Sequence, residues 1–260
     1  MNFQFVKYEI KEGVATITLN RPDVYNALND GITYELQDAF KSVAKDDQVR
    51  VVVLTGEGKA FCSGQDLKAG STEEKRSFMD SLQKRYNPII RAMRNLPKPI
   101  VCQLNGVAAG AGCSIALACD MIVASEDATL IEVFINIGLV PDSGSSFFLP
   151  RLVGMAKAFE LASMGTRVKA KEALELGLVN RVVAPDQLNA AVKEYTDYFA
   201  QAPTKSIGMI KKMLNKSATS TLDEMLDAEA YYQEAAGSSH DYKEGVAAFL
   251  EKRKPKFLGK

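Results

Sequence analysis

The feature that most constrains the fold is a pattern of short apolar segments, each followed by a glycine-containing turn. Residues 51–54 read Val-Val-Val-Leu, residues 100–104 read Ile-Val-Cys-Gln-Leu, and glycines follow both. Short runs with so little polar interruption are typical of strands that are buried in a sheet. Helical signals lie between them, such as Asn29 or Asp30, either of which can cap an apolar-periodic stretch that reaches about Ala44. Strand, glycine turn and helix in repetition predict α/β layering.

Two further elements flank this pattern. Alternating residues near the N-terminus predict two strands that are joined at Gly13. A long polar helix is expected from about Thr72 to Leu96, because Pro97 and Pro99 follow it.

The later part of the chain has a different character. From about Met155 onward the pattern is predominantly helical, and Thr221 with Glu224 forms a capping box before another helix. We therefore place a boundary near residue 200. Residues 1–200 are expected to form the core, and residues 201–260 an all-helical region.

Composition excludes several classes of function. Lys plus Arg and Asp plus Glu both number 32, so no global basic field exists to hold nucleic acid or an anionic membrane. One histidine and four cysteines without a CxxC pair argue against a metal site. No apolar run reaches the roughly 18 residues of a membrane helix, and the N-terminus does not read as a signal peptide. We expect a cytoplasmic protein with reduced thiols.

Two glycine-rich loops are the first candidates for a functional site. They span residues 61–66 and 109–112, and each follows an apolar strand. Small residues let the backbone approach a ligand closely, and the second loop also opens a helix whose free N–H groups favour negative charge. Two converging N–H groups would stabilise an enolate oxygen. The loops alone favour a simpler interpretation, in which glycine only permits tight strand–helix packing.

Several spaced motifs resemble the crotonase superfamily, which includes enoyl-CoA hydratases and isomerases, and together they cover essentially the whole chain. The resembling segments are Leu19-Asn20-Arg21-Pro22, Asn26-Ala27-Leu28, Phe61-Cys62-Ser63-Gly64-Gln65-Asp66-Leu67, Lys98-Pro99-Ile100, Asn105-Gly106, Ala109 to Cys113, Cys119-Asp120 and Gly138-Leu139-Val140-Pro141. Within the superfamily, the branch that isomerises ring-1,2-epoxyphenylacetyl-CoA is the most similar. The stretches that resemble it are Tyr86-Asn87-Pro88, Leu139-Val140-Pro141-Asp142 and the tail from Asp241 to Leu250.

The resemblance implies a spiral of ββα turns whose C-terminal helices build trimers, often paired into hexamers. It also implies that two backbone N–H groups hold the oxygen of a coenzyme A (CoA) thioester, with CoA entering as part of the substrate and no separate cofactor. By register these N–H groups belong to Ser63 and Ala111. An offset of one residue, onto Gly64, Gly110 or Gly112, stays open.

Other residues are implied as contacts of the CoA moiety. Lys59, Gln65 and Asp66 lie beside the first loop and are expected near the adenine and the pantetheine arm. The basic residues that close the chain have two interpretations, a solvated helix end or contacts to CoA phosphates. They are Lys252, Arg253, Lys254 and Lys256.

The acid or base is the most informative part of the site. The hydratases of this family use two glutamates, and the matching positions here are Ser114 and Phe134. Hydration needs one group to activate water and one to protonate carbon, and neither residue can do so. Asp142 remains, at a position where rearranging members of the family often carry an acid. Apolar neighbours would raise its pKa. Its alternative role is a helix N-cap.

Glu132 is a rival acid, because in an extended segment it would share a face with Phe134. Asp120 is expected to be structural. Cys62 and Cys113 are expected to pack, and Ser114 to pack or to hydrogen-bond a ligand, rather than to act as nucleophiles. The sequence therefore predicts a CoA-thioester isomerase. An enoyl-CoA hydratase and a non-catalytic trimer that binds acyl-CoA are the alternatives.

Overall fold

A computed structural model describes residues 3–68 and 77–260. Strands β1 (Val6–Lys11) and β2 (Val14–Leu19) form an antiparallel hairpin. Its turn residues, Glu12 and Gly13, both have positive φ, which matches the right-handed twist of the two strands. The predicted hairpin at Gly13 is confirmed.

Consecutive strands are divided between two sheets. The six-stranded sheet has the order β1, β2, β3 (Val51–Gly56), β5 (Ile100–Leu104), β7 (Met121–Ser125) and β10 (Arg181–Val183). The four-stranded sheet has the order β4 (Ala60–Cys62), β6 (Val107–Ala109), β8 (Thr129–Ile131) and β9 (Arg167–Lys169). Strands β3, β5 and β7 pair in parallel, and so do β4, β6 and β8. Each strand pair thus adds one strand to each sheet, which is the predicted ββα spiral.

Helices cover and follow these sheets. Asn29 caps the first one by accepting the Ile32 N–H, and the predicted capping box of Thr221 and Glu224 is present. The bounds are α1 Asp30–Lys45, α2 Phe78–Ser81, α3 Asn87–Asn95, α4 Ala111–Leu117, α5 Ser145–Val153, α6 Met155–Met164, α7 Ala170–Glu175, α8 Leu188–Gln201, α9 Thr204–Ser217, α10 Leu222–Gly237 and α11 His240–Leu250. A π-helical turn, Leu82–Tyr86, joins α2 to α3. The expected start at Thr72 lies outside the described residues.

Strand β3 is buried on both faces, as its apolar run predicts. Val52 and Leu54 belong to the main core, which includes Phe40 of α1. Val51 and Val53 pack in a second cluster with side chains of α8. Because successive strand residues point to opposite faces, helices on both sides of the sheet explain a run without polar interruption.

Asp120 joins the core to the C-terminal helices. Its carboxylate accepts the Ile100 N–H at 2.8 Å and forms ion pairs with Arg94 at 2.9 Å and with Lys211 of α9 at 2.7 Å. Burial lowers the pKa of Lys211, whereas Asp120 acts against that shift. The expected structural role of Asp120 is confirmed. The division into two units at residue 200 stays a prediction.

The last three helices leave apolar side chains exposed. A groove of about 770 Å³ runs between α9, α10 and α11, and Phe249 and Leu250 beside it are 83% and 74% exposed. None of the described helices combines the length and apolarity that a membrane span requires.

Candidate active site

The two glycine-rich loops lie side by side because the strands before them are neighbours. Strand β4 pairs with β6, with Cys62 opposite Ala108. A Cβ atom on Gly112 would lie 2.3 Å from the carbonyl oxygen of Cys62, and one on Gly64 would lie 2.8 Å from that of Ala109. Neither distance is tolerable for a side chain. Glycine therefore serves the predicted close approach between the loops.

Two of the N–H groups considered for the thioester oxygen are already engaged. The Ser63 N–H donates to the Tyr25 carbonyl at 3.0 Å, and the Gly110 N–H donates to the Ile131 carbonyl at 2.9 Å. A donor that is bound to a backbone carbonyl cannot also bind substrate without breaking that bond. This finding corrects the assignment of Ser63 and removes Gly110 as the alternative to Ala111.

Gln65 takes the place of Ser63 as the candidate donor. Leu28 receives a hydrogen bond from the Asp66 N–H at 2.9 Å and donates one to the Gly64 carbonyl at 2.7 Å. In such a parallel bridge the intervening residue, Gln65, points its own N–H away from Leu28. No acceptor for the Gln65 N–H lies in the described part of the chain.

Ala111 is the second candidate donor, as predicted. It is the first residue of α4, so its N–H has no partner within the helix. A Cβ atom on Gly64 would lie 3.7 Å from the Ala111 nitrogen, which places that nitrogen directly against the first loop. Gly112, the next residue of α4, also has no carbonyl one turn earlier in that helix. One free N–H from each loop is the arrangement that an oxyanion hole requires.

Asp66 and Lys59 occupy different environments beside the first loop. The Asp66 carboxylate pairs with Arg21 at 2.9 Å and accepts the Lys68 N–H at 3.1 Å, so it fixes the loop. Lys59 is exposed in the turn before β4. Their contact with CoA, and that of the basic C-terminal residues, stays a prediction. Among the latter, Arg253 already pairs with Glu244 at 2.6 Å.

Asp142 lies in the connection before α5 and is partly buried. Burial raises the pKa of its carboxyl, and a 2.8 Å hydrogen bond from the Ser143 hydroxyl opposes that shift more weakly. The alternative role as a helix N-cap is wrong, because α5 begins at Ser145 and its N-cap is Gly144, with φ of 85°. The Asp142 side chain therefore does not cap α5.

Glu132 and Phe134 do not share a face, contrary to the expectation for an extended segment. The chain turns into a 3-10 helix at Val133–Ile137, directly after β8. A Cβ atom on Gly110 would lie 3.8 Å from the Phe134 ring, so that ring faces the second loop. A phenyl ring thus lies close to the second glycine loop.

Glu132 turns instead into the protein interior. It is 3% exposed, accepts the Ser145 hydroxyl at 2.6 Å and borders a cavity of about 10 Å³ with Cys113 and Leu149. Burial raises its pKa, and the charge of Asp142 adds to that rise. Glu132 is therefore a buried neighbour of the site rather than a group on its surface.

The remaining nucleophilic side chains are packed away. Ser114 donates to the Gly110 carbonyl at 3.2 Å, and Cys62 contacts the Asn26 carbonyl at 3.3 Å. Burial raises the pKa of Cys62 to about 12 and that of Cys113 as well, so both stay protonated thiols near neutral pH. Their predicted packing roles are confirmed. In the described residues, no three His, Cys, Asp or Glu side chains converge as a metal-ligand set would.

Tyr86 is a site residue that sequence reasoning missed. Its hydroxyl donates to the side-chain oxygen of Gln65, beside the candidate oxyanion hole. The only sequence signal was the motif Tyr86-Asn87-Pro88, which carried similarity to relatives but no assigned role.

A ββα spiral with two facing loops of free N–H groups defines the crotonase class of fold. Residues 9–260 match the family model described as enoyl-CoA hydratase/isomerase, and the chain belongs to that family. The 1,2-epoxyphenylacetyl-CoA isomerase of Escherichia coli K12 is 41% identical and covers 99% of this chain and 99% of its own length. The trans-2-decenoyl-[acyl-carrier-protein] isomerase of Streptococcus mutans is 36% identical, with 100% of both chains covered.

Solved structures agree with this membership. The enoyl-CoA hydratase from Bacillus anthracis superposes with a TM-score of 0.94 at 31% identity, over 99% of this chain and 100% of that one. The family and its named isomerases and hydratases show that the protein is an enzyme, which sets aside the non-catalytic acyl-CoA-binding trimer.

Proposed function

We propose that the protein isomerises enoyl-CoA thioesters by moving one proton between two carbons of the acyl chain. Asp142 removes the α proton of a 3-enoyl-CoA, and the electron pair delocalises onto the thioester oxygen. The N–H groups of Gln65 and Ala111 stabilise that oxygen in the dienolate. Asp142 then returns the proton to the γ carbon, which leaves a 2-enoyl-CoA.

The placement of carboxyl groups is the observation that carries this proposal. Asp142 is a partly buried carboxyl with a raised pKa and no structural duty as a cap. A raised pKa makes a carboxylate a stronger base. One carboxylate suffices to remove a proton and return it. The positions of the two hydratase glutamates hold Ser114, which is packed, and Phe134, which is apolar.

A ring epoxide is the second candidate substrate. It is supported by the 41% identity to an isomerase whose name specifies 1,2-epoxyphenylacetyl-CoA. The same two N–H groups would hold the thioester oxygen while the strained ring opens, and little further protein chemistry is needed. Phenylacetate catabolism is the metabolic setting that this substrate implies.

Hydration of 2-enoyl-CoA is the alternative that family membership leaves equally open. It requires a second group to activate water. Glu132 is the nearby candidate, yet it turns into an interior cavity of about 10 Å³. A cavity of that size holds at most about one water molecule and no acyl chain.

The decisive experiment compares two reactions on one purified sample. Isomerisation of 3-enoyl-CoA and hydration of 2-enoyl-CoA are followed by absorbance, and the products are identified by mass. We expect kcat/KM for isomerisation to exceed that for hydration by at least about 100-fold, the lower bound for one missing acid/base. Equal values would refute the isomerase assignment. The ring epoxide is a third arm of the same assay.

We propose that the enzyme assembles as a homotrimer or a hexamer in the cytoplasm, through the exposed apolar residues of α9–α11. Leu222 and Tyr231 are 74% and 70% exposed in the single chain, which is more than a solvated helix needs. CoA arrives as part of the substrate, and the chemistry uses no separate cofactor. Light scattering at micromolar concentration tests the assembly, and a monomer would contradict it.

A further inference from the structure

The segment Tyr86-Asn87-Pro88 builds an unusual turn. Pro88 has no amide hydrogen, so the Lys84 carbonyl one turn earlier loses its helical donor. The helix widens there into the π turn Leu82–Tyr86, with the Asn87 N–H donating to the Leu82 carbonyl. The side-chain amide of Gln37 donates to the carbonyls of Lys84 and Arg85, both at 3.0 Å. Two carbonyls of the π turn are thus satisfied by a side chain of α1.

Arg85 anchors the same turn. Its side chain is nearly fully buried, and its Nε lies 2.9 Å from Asp30, the first residue of α1. Its Nη1 also donates to the Ser81 hydroxyl at 3.2 Å. Removing one partner of a buried ion pair is costly, so this contact holds the turn against α1. The next residue, Tyr86, therefore leaves the helix from a fixed point.

The Tyr86 hydroxyl reaches the first glycine loop from this turn. Tyr86 is 4% exposed, and its hydroxyl donates to the Gln65 side-chain oxygen, Oε1. The nitrogen of the same amide donates to the Asp66 carbonyl at 3.3 Å. Gln65 is thereby held through both ends of its side-chain amide. Burial raises the pKa of Tyr86, which keeps the phenol protonated and a donor.

The same helix also contacts the loop that carries the acid. Ile90 lies one turn beyond Tyr86, and its Cγ2 is 3.4 Å from the position of a Cβ on Gly144. Gly144 is two residues after Asp142. The segment from Tyr86 to Ile90 therefore contacts both the Gln65 side chain and, at Gly144, the loop that carries Asp142.

We propose that Tyr86 is a positioning residue that sets the direction of the Gln65 N–H through the Gln65 side chain. This inference rests on the proposed function of the loops as an oxyanion hole. The π turn created by Pro88 delivers the phenol to the amide, and the amide fixes the residue whose N–H meets the thioester oxygen. Tyr86 exchanges no proton with substrate.

The test is a double-mutant cycle of Tyr86→Phe and Gln65→Met. Tyr86→Phe removes one hydroxyl and keeps the ring, and Gln65→Met removes the acceptor at similar size. We expect Tyr86→Phe to lower kcat for 3-enoyl-CoA about three- to tenfold, the usual contribution of one hydrogen bond, and to leave KM within about twofold. In the Gln65→Met background, Tyr86→Phe should have no further effect. The matched control is Tyr198→Phe, whose side chain is exposed on α8.

Three kinetic results would overturn the proposal. They are an unchanged kcat in Tyr86→Phe, an equal loss in the Gln65→Met background, and a shift in the acid limb of the pH profile. The last would mean that the phenol acts on Asp142 directly. If Tyr86→Phe lowers Tm strongly, Gln65→Met provides the same test from the side of the acceptor.

A spectroscopic measurement separates this proposal from the proposed reaction. A chromophoric aryl-enoyl-CoA is bound without turnover, and its absorbance shifts to the red when the thioester carbonyl is polarised. Tyr86→Phe should reduce that shift, whereas Tyr198→Phe should keep it. A wild-type shift without any isomerase activity would refute the reaction and still test Tyr86. A full shift in Tyr86→Phe would refute the role of Tyr86 alone.

Discussion

Replacing Asp142 with asparagine should separate catalysis from folding. Asparagine has nearly the same shape, and its side-chain oxygen can still accept the hydrogen bond that Ser143 donates at 2.8 Å. It cannot take up a proton. Removal of a general acid/base costs about 10²- to 10⁴-fold in rate, which corresponds to about 2.7–5.5 kcal/mol at the transition state. Glu132 faces the interior and cannot substitute, so we expect the upper half of that range.

The stability of the same variant should move in the opposite direction. Burial raises the folded-state pKa of Asp142 above its unfolded value. A carboxyl of this kind destabilises the fold as pH rises through the folded pKa, and it costs nothing below the unfolded pKa. Asp142→Asn should therefore have an equal or higher Tm at neutral pH. In acid, the two proteins should have the same Tm.

The assay is single-turnover isomerisation of a 3-enoyl-CoA, combined with calorimetry of the free protein. Glu132→Gln is the matched control, because it neutralises the neighbouring buried carboxyl. Activity near that of the wild type in Asp142→Asn would refute the assignment of the base. Loss of activity in Glu132→Gln with retention in Asp142→Asn would transfer the role to Glu132. A large drop in Tm at neutral pH would refute the electrostatic reasoning.

Three further results are expected. The kcat/KM of isomerisation should rise with pH, and the midpoint of that rise should lie above the ordinary aspartate pKa because burial raises the pKa of Asp142. A midpoint in the ordinary aspartate range, measured on a verified substrate, would contradict this. Gly112→Ala should push the two loops apart and abolish most activity, because its Cβ would lie 2.3 Å from a carbonyl oxygen. The control Gly237→Ala should be active, because nothing lies within 4 Å of its Cβ. Equal activities of the two variants would contradict the close packing of the loops. Asp120→Ala should destabilise the protein by about 3–5 kcal/mol in urea unfolding, because it leaves Lys211 buried without its ion-pair partner; a change under about 1 kcal/mol would disprove a structural role.

Local chemistry made part of the fold predictable. Gly13 in a hairpin, Asn29 as an N-cap and the box of Thr221 with Glu224 depend on residues a few positions apart, and all three are confirmed. The buried strand at residues 51–54 was predictable because a continuous apolar run is stable only when both faces of the strand are buried. Signals of this kind involve residues that are close together in the chain, so they can be recognised from the sequence alone.

The errors arose where a distant segment decides the outcome. Ser63 looked free because nothing near it in sequence shows that Tyr25 accepts its N–H. Glu132 was placed on the face of Phe134 because a 3-10 turn directly after a strand leaves no periodic signature. The contact of Tyr86 depends on how a helix packs against a loop, which no local pattern specifies.

The pairing of β4 with β6, and of β6 with β8, fixes one part of the candidate site and leaves another part independent of it. The two N–H donors follow adjacent strands, so their separation is set by the interstrand spacing of about 4.8 Å and changes little with side chains. The acid lies beyond the third strand, β8, in the connection to α5, and takes no part in the strand pairing. The proton-transfer group can therefore be replaced while the two N–H groups that hold the thioester oxygen stay in place. The positions that match the hydratase glutamates, Ser114 in α4 and Phe134 in the 3-10 helix, also lie outside the paired strands, so the proton-transfer group can differ while the strand pairing stays the same.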